Sequence, residues 1–169
     1  MNDTNEGSPM DNAEWQEIVN SIPVVCDITE TTAEGVIRQV LKAVFEKNGL
    51  SMDKLDATVS TVIAHSQSDI SFYAMHGLAI PHGYLPGLEK LLVGVGVLQH
   101  GRSIDINAMD GSKTHLFFVI VCSSPNQPGY RQFLARLCRC LISDDMESRL
   151  ASVSTRNDLD ALLGGATPQ

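Results

Sequence analysis

The chain has 169 residues, 43% of them hydrophobic and 19% charged, with a net charge of −8. That length supports one hydrophobic core, and that composition excludes a disordered chain. The acidic balance argues against nucleic-acid binding, which needs clustered Lys and Arg on phosphates, and it suits a partner with a basic docking face.

The elements follow in chain order. Residues 1–14 are polar and acidic, with Gly7, Ser8 and Pro9. They lack the positive start and apolar core of a signal peptide. Residues 1–13 therefore read as a disordered leader, 14–164 as the domain, and 165–169 as a tail. No run reaches the roughly 18 to 20 apolar residues of a membrane span, so a cytoplasmic protein is expected. Residues 15–19 predict a short helix or turn, and 23–28 a short strand. Thr31-Thr32-Ala33-Glu34 has the spacing of a capping box. Val36, Ile37, Val40, Leu41, Val44 and Phe45 then follow helical periodicity as far as the stop signal Asn48-Gly49. Ser51 is placed to cap a second helix whose inner face is Leu55, Val59, Val62 and Ile63.

Leu78-Ala79-Ile80 is a short apolar piece ended by Pro81. Residues 91–98 are apolar on both faces, as in a central strand, and Gly94 and Gly96 there suggest close backbone approach. Asp110-Gly111 is a turn signal. Residues 114–122 predict a second buried strand, and 126–129 a loop. Phe133, Leu134, Leu137, Cys138 and Leu141 form the inner stripe of a third long helix. Two shorter helices, 144–151 and 157–163, follow, the second capped by Thr155. This order implies an α/β domain of two or three layers around a mixed sheet.

The four cysteines, Cys26, Cys122, Cys138 and Cys140, lie in apolar surroundings without a C-x-x-C pair. Cys138 and Cys140 sit two apart on a helix, so they point about 200° away from each other. All four read as reduced packing residues.

Five histidines remain as candidates for chemistry. His65, on an apolar helical face, His100, in a turn, and His115, at a strand start, read as surface or structural residues. His76, next to Gly77, is close enough in sequence to His82 to lie beside it. The context of His82 differs. An apolar strand delivers the chain to Pro81, which cannot continue a central ladder. His82 should then leave the sheet at a strand end, where α/β folds place ligands. Gly83 would give room for a phosphoryl group, and nearby N–H groups could hold its oxygens. Imidazole is a good neutral nucleophile near pH 7 and a good leaving group once phosphorylated. Taken alone, Pro-His-Gly is more often an ordinary turn.

Gly77-Leu78-Ala79-Ile80-Pro81-His82-Gly83 resembles the phosphorylation segment of enzyme IIA domains of the mannitol, fructose and nitrogen-regulatory class of the bacterial phosphotransferase system. Val93-Gly94-Val95-Gly96-Val97-Leu98 resembles the central strand of that family. Ile104-Asp105, with Ala108-Met109-Asp110-Gly111, is similar to its next connection, and Phe133-Leu134-Ala135-Arg136-Leu137 to its following helix. The pattern runs over residues 20–164. The resemblance implies a small mixed β-sheet flanked by α-helices. It also implies a phosphoryl group accepted on His82 from an HPr-like phosphocarrier protein and passed on to an enzyme IIB partner, without metal or cofactor.

The sequence departs from the family in two places. Typical members have a second histidine where Tyr130 stands here. The Tyr130 hydroxyl could still donate to a phosphoryl oxygen, and the adjacent Arg131 could supply charge. Typical members also carry an Arg-Glu pair before the motif, where this chain reads Ser66-Gln67-Ser68-Asp69. His76 is a candidate substitute for the missing histidine. A stand-alone regulatory phosphoacceptor, a soluble sugar-specific subunit and a non-catalytic interaction domain all fit these features. A metal enzyme using His76, His82 and Asp69 lacks any supporting ligand spacing.

Overall fold

A computed structural model describes residues 9–68, 73–124, 127 and 129–164. In chain order the elements are α1 (Asn12–Ser21), β1 (Val24–Ile28), α2 (Ala33–Asn48), α3 (Leu55–Ser68), β2 (Tyr73–Met75), β3 (Leu78–Ile80) and β4 (His82–Tyr84). β5 (Leu92–Leu98), β6 (Leu116–Cys122), α4 (Tyr130–Leu141), α5 (Met146–Ala151) and α6 (Arg156–Gly164) complete them. The sheet order is β1-β5-β6-β3-β2, with β4 also on β6. β1 runs parallel to β5 and β3 parallel to β6, while β5–β6 and β2–β3 are antiparallel. The sheet is thus mixed, as the sequence implies.

Every residue of β5 and β6 is buried, because helices cover both faces. Alternation sends Leu116, Phe118, Ile120 and Cys122 to one core with Trp15, Phe133, Leu137 and Leu159. Phe117, Val119 and Val121 point the other way, into a core with Val36, Val40, Val44 and Val62. The domain therefore has three layers: α2 and α3 on one face, and α1, α4, α5 and α6 on the other. The glycines of β5 permit the first packing. A Cβ on Gly94 would come 2.5 Å from Cγ2 of Val44, and one on Gly96 would come 2.6 Å from Cγ2 of Val40. No described helix is long and apolar enough to cross a membrane.

Four expectations need correction. The first concerns the leader. Met10 is buried, and Asp11 caps α1 by accepting from the backbone N–H of Glu14 at 2.8 Å. The physical reason is Arg136, an α4 residue buried beneath this segment. Its guanidinium donates to the Met10 carbonyl at 3.0 Å and to Oδ1 of Asn12 at 2.6 Å, and it lies 5.0 Å from the centre of the Trp15 ring. Residues 9–13 thus belong to the fold, while 1–8 and the expected tail lie outside the described residues.

Second, α2 starts one residue later than the capping-box spacing suggests. Thr32, not Thr31, is the N-cap, and its Oγ1 accepts from the Gly35 N–H at 3.1 Å. Third, Ser51 opens a short 3-10 turn, Met52–Lys54, and makes no side-chain cap.

Fourth, the chain does not leave the sheet after Pro81. Leu78 pairs with Leu116, Ala79 with Phe117 and His82 with Ile120, so β3 and β4 follow β6 in one unbroken register. The Pro81 carbonyl accepts from the Ile120 N–H at 3.0 Å and keeps that side of the ladder intact. On the other side, the described pairing with β2 reaches Tyr73–Ile80. Among the described residues no strand pairs with Pro81 on that side, the edge condition under which strands tolerate proline.

Candidate functional site

His82 opens β4 and is partly exposed. Alternation along the strand turns Gly83 toward α3 and His82 toward the opposite face. A Cβ on Gly83 would lie 2.7 Å from Oγ1 of Thr61 and 2.8 Å from the backbone nitrogen of Val62. The glycine thus serves close packing of α3 on β4. This corrects the expectation that it makes room for a phosphoryl group. Thr61 locks the same contact: its hydroxyl accepts from the Tyr84 N–H at 3.2 Å and donates to the Thr58 carbonyl at 2.8 Å.

That contact brings His65, near the end of α3, to the site. Its ring stacks on His82 with centroids 5.5 Å apart and planes 24° apart. His65 reaches this face past the edge of β4 that has no strand partner among the described residues. Tyr84 packs edge-on against His65 at 4.5 Å and 90°, and lies 6.2 Å from His82. Tyr130, the first residue of α4, packs against His82 from another direction at 5.6 Å. Arg131 is exposed on α4, about 100° around the helix from Tyr130.

Burial pushes the Tyr130 hydroxyl up to about 12, with the nearby Cys122 and Tyr84 adding to the shift. Burial also raises Tyr84 and Cys122. Both phenols are therefore neutral hydrogen-bond donors at neutral pH, and Cys122 is a neutral thiol with Sγ 3.8 Å from the Gly83 carbonyl. The N-terminal end of α4, which carries Tyr130, adds the positive end of a helix dipole. A histidine flanked by donors and a helix N-terminus can accept a phosphoryl group and stabilise its charge.

His76 is not part of this cluster. It sits in the β2–β3 turn, six residues before His82 along an extended path, or roughly 20 Å away. Its φ of 54° is held by Asp110, which accepts from the His76 N–H at 2.9 Å. Its ring Nδ1 lies 3.6 Å from Asp110 and 3.9 Å from Glu147. The expectation that His76 stands beside His82, or joins it around one metal, is therefore corrected. Asp69, the third member of that metal set, lies outside the described residues. His115 is structural, with Nε2 2.9 Å from the Leu150 carbonyl.

Asp110 carries its own prediction. Hydrogen bonds from the Ser112 hydroxyl, the His76 N–H and the Ser112 N–H lower its carboxyl to about 2 from an ordinary 3.8. A depressed folded-state value stabilises the fold above the unfolded value, and that stability is lost as pH falls toward 2. The Tm gap between wild type and Asp110→Asn should narrow from pH 5 to pH 2. A gap independent of pH would contradict this.

Sequence reasoning missed His65 and Tyr84. Tyr84 follows His82 at the spacing of two that shares a strand face. His65 lies three residues after Val62, on the stripe that packs on the sheet, and those were the only signals.

Residues 17–165 match the model of the family described as "Phosphoenolpyruvate-dependent sugar phosphotransferase system, EIIA 2". A nitrogen regulatory protein of Bradyrhizobium diazoefficiens is 36% identical over 75 residues, which are 44% of this chain and 48% of that protein. The match thus spans about half the length of that relative. The fold is similar to that of the nitrogen regulatory protein IIA-Ntr from Neisseria meningitidis, with TM-score 0.71 and 18% identity, over 87% of this chain and 99% of that one. It is also similar to enzyme IIAMTL of Escherichia coli in its complex with phosphorylated enzyme IIBMTL, with TM-score 0.60 and 17% identity, over 84% and 94%.

Proposed function

Because this chain belongs to the phosphotransferase system EIIA 2 family, we propose that it is a phosphoryl carrier that accepts its phosphoryl group on His82 from a phosphohistidine of an HPr-like protein. The observation that carries this reading is the surroundings of His82. The imidazole is partly exposed to a docking partner, with donor-bearing rings at 5.5 and 5.6 Å and a helix N-terminus beside it.

In the transfer, a lone pair on a His82 nitrogen attacks phosphorus. The donor's N–P bond breaks and its electron pair returns to the donor imidazole. Because one N–P bond replaces another, the step is close to balanced. The protein's task is then alignment and stabilisation of spread charge. The Tyr130 hydroxyl, neutral at working pH, donates to a phosphoryl oxygen.

The likeness to a nitrogen regulatory protein supports a regulatory role. A phosphoryl group adds a charge of about −1.5 to −2 beside His82 and changes which partner docks there. The fold likeness to an enzyme IIA solved with its phosphorylated IIB favours a second reading, a sugar-specific subunit that passes the group to an enzyme IIB.

Incubating the chain with catalytic amounts of a carrier phosphorylated from phosphoenolpyruvate tests the proposal. The expected result is an acid-labile mass gain of one phosphoryl group. No gain, with a competent enzyme IIA gaining in parallel, would leave an interaction domain that has kept the fold and lost the chemistry.

A further inference from the structure

Resting on that reading of His82, we propose that His65 is a second catalytic imidazole of the site, whose ring N–H grips the transferring phosphoryl group from the side. The stacked geometry decides the role. The planes are 24° apart, and ring nitrogens direct their lone pairs and N–H bonds within those planes. Direct transfer from one ring to the other would need phosphorus in line between two nitrogens, and the proposed role does not call for it. A phosphoryl group on His82 nevertheless spreads its oxygens sideways. One ring spacing away, the His65 N–H lies at hydrogen-bonding range for such an oxygen.

The ring is positioned before any phosphoryl group arrives. Tyr84 buttresses it at 4.5 Å, Gly83 lets α3 sit directly on β4, and the Thr61 hydroxyl ties the helix to the backbone of Tyr84. Preorganised donors of this kind cost no rearrangement during reaction. Among the rings described against His82, namely His65, Tyr84 and Tyr130, that of His65 is the imidazole, and it offers a ring N–H where the two tyrosines offer hydroxyls. Its contribution is thus an N–H hydrogen bond to a phosphoryl oxygen, from a direction the phenols do not cover. His65 keeps its proton throughout, while the bond changes stay on the donor nitrogen, phosphorus and His82.

The test compares His65→Phe, which keeps the ring stack and loses the donor, with His65→Gln, which keeps a donor. Phosphorylation rates against carrier concentration separate kcat from KM. Losing one such donor lowers kcat by about 100-fold, so His65→Phe should fall on that scale at unchanged KM, with His65→Gln recovering part of it. A kcat for His65→Phe within about twofold of wild type would overturn the role, because packing alone would then explain the stack. A second measurement stands if the Phe variant fails to fold. In wild type labelled with 15N-histidine, phosphorylation should shift the His65 ring signals and slow exchange of its N–H. Unshifted His65 signals would overturn the role. Wild type that gains no phosphoryl group removes this inference together with the reading of His82, whereas equal rates in phosphorylatable variants remove this inference alone.

Discussion

His82→Ala should abolish the phosphoryl gain and leave the fold intact. In the proposed transfer the nucleophile is a single side chain, and alanine offers phosphorus no lone pair. The expected loss is therefore complete rather than graded, unlike the loss of an oxyanion donor, which costs about 100-fold. The stability effect should be small. His82 is partly exposed at the start of β4, and its backbone pairing with Ile120 does not depend on the imidazole. Changes at such positions stay within about 0.5 to 1 kcal/mol. Intact mass after incubation with the phosphorylated carrier reads the first effect, and thermal unfolding reads the second. A gain that persists in His82→Ala would move the phosphorylated residue elsewhere.

Gly83→Ala should be the most disruptive of the conservative changes near the site. The added Cβ would meet Cγ2 of Val62 at 2.5 Å, Oγ1 of Thr61 at 2.7 Å and the Val62 backbone nitrogen at 2.8 Å. A flexible side-chain tip could rotate away, but a helix backbone cannot. α3 must therefore lift from β4, with a cost of about 1 to 3 kcal/mol for overpacking of this kind. The same shift carries His65 away from His82 and breaks the Thr61–Tyr84 hydrogen bond. Urea unfolding should show a lower midpoint, and phosphorylation should slow even where the variant is fully folded. Wild-type stability and rate together would show that the α3–β4 contact yields without consequence.

Much of this fold is legible in the sequence, for local reasons. The periodicity of Val36 through Phe45 and the Asn48-Gly49 stop define α2, and its C-cap Gly49 adopts the left-handed φ of 65° that the stop implies. The unbroken apolar runs around Val95 and Phe118 mark the two strands covered on both faces. Thr155 caps α6 as expected, its Oγ1 accepting from the Asp158 N–H at 3.2 Å.

What the sequence hides depends on tertiary geometry. Pro81 suggests a chain leaving the sheet, because proline lacks a ladder donor. Only the register on β6 shows that the strand continues, with the Pro81 carbonyl still accepting from the Ile120 N–H. The ordered residues 9–13 look like a leader until Arg136, a residue of a distant helix, is seen to hold Met10 and Asn12. His65 lies far from His82 in sequence. Its approach requires one side of β4 to be without a strand partner, as it is among the described residues, α3 to press on Gly83, and the ring to pass that side. His76 is near in sequence and far in space, because an extended strand separates the two.

The most direct measurement is to locate the phosphoryl group. The chain phosphorylated by an HPr-like carrier at neutral pH can be digested under mild alkaline conditions and its peptides fragmented by electron transfer. The group should lie on His82, on the peptide containing Ile80-Pro81-His82-Gly83. A phosphoryl group found on His65, His76, His100 or His115, with His82 unmodified, would contradict the account.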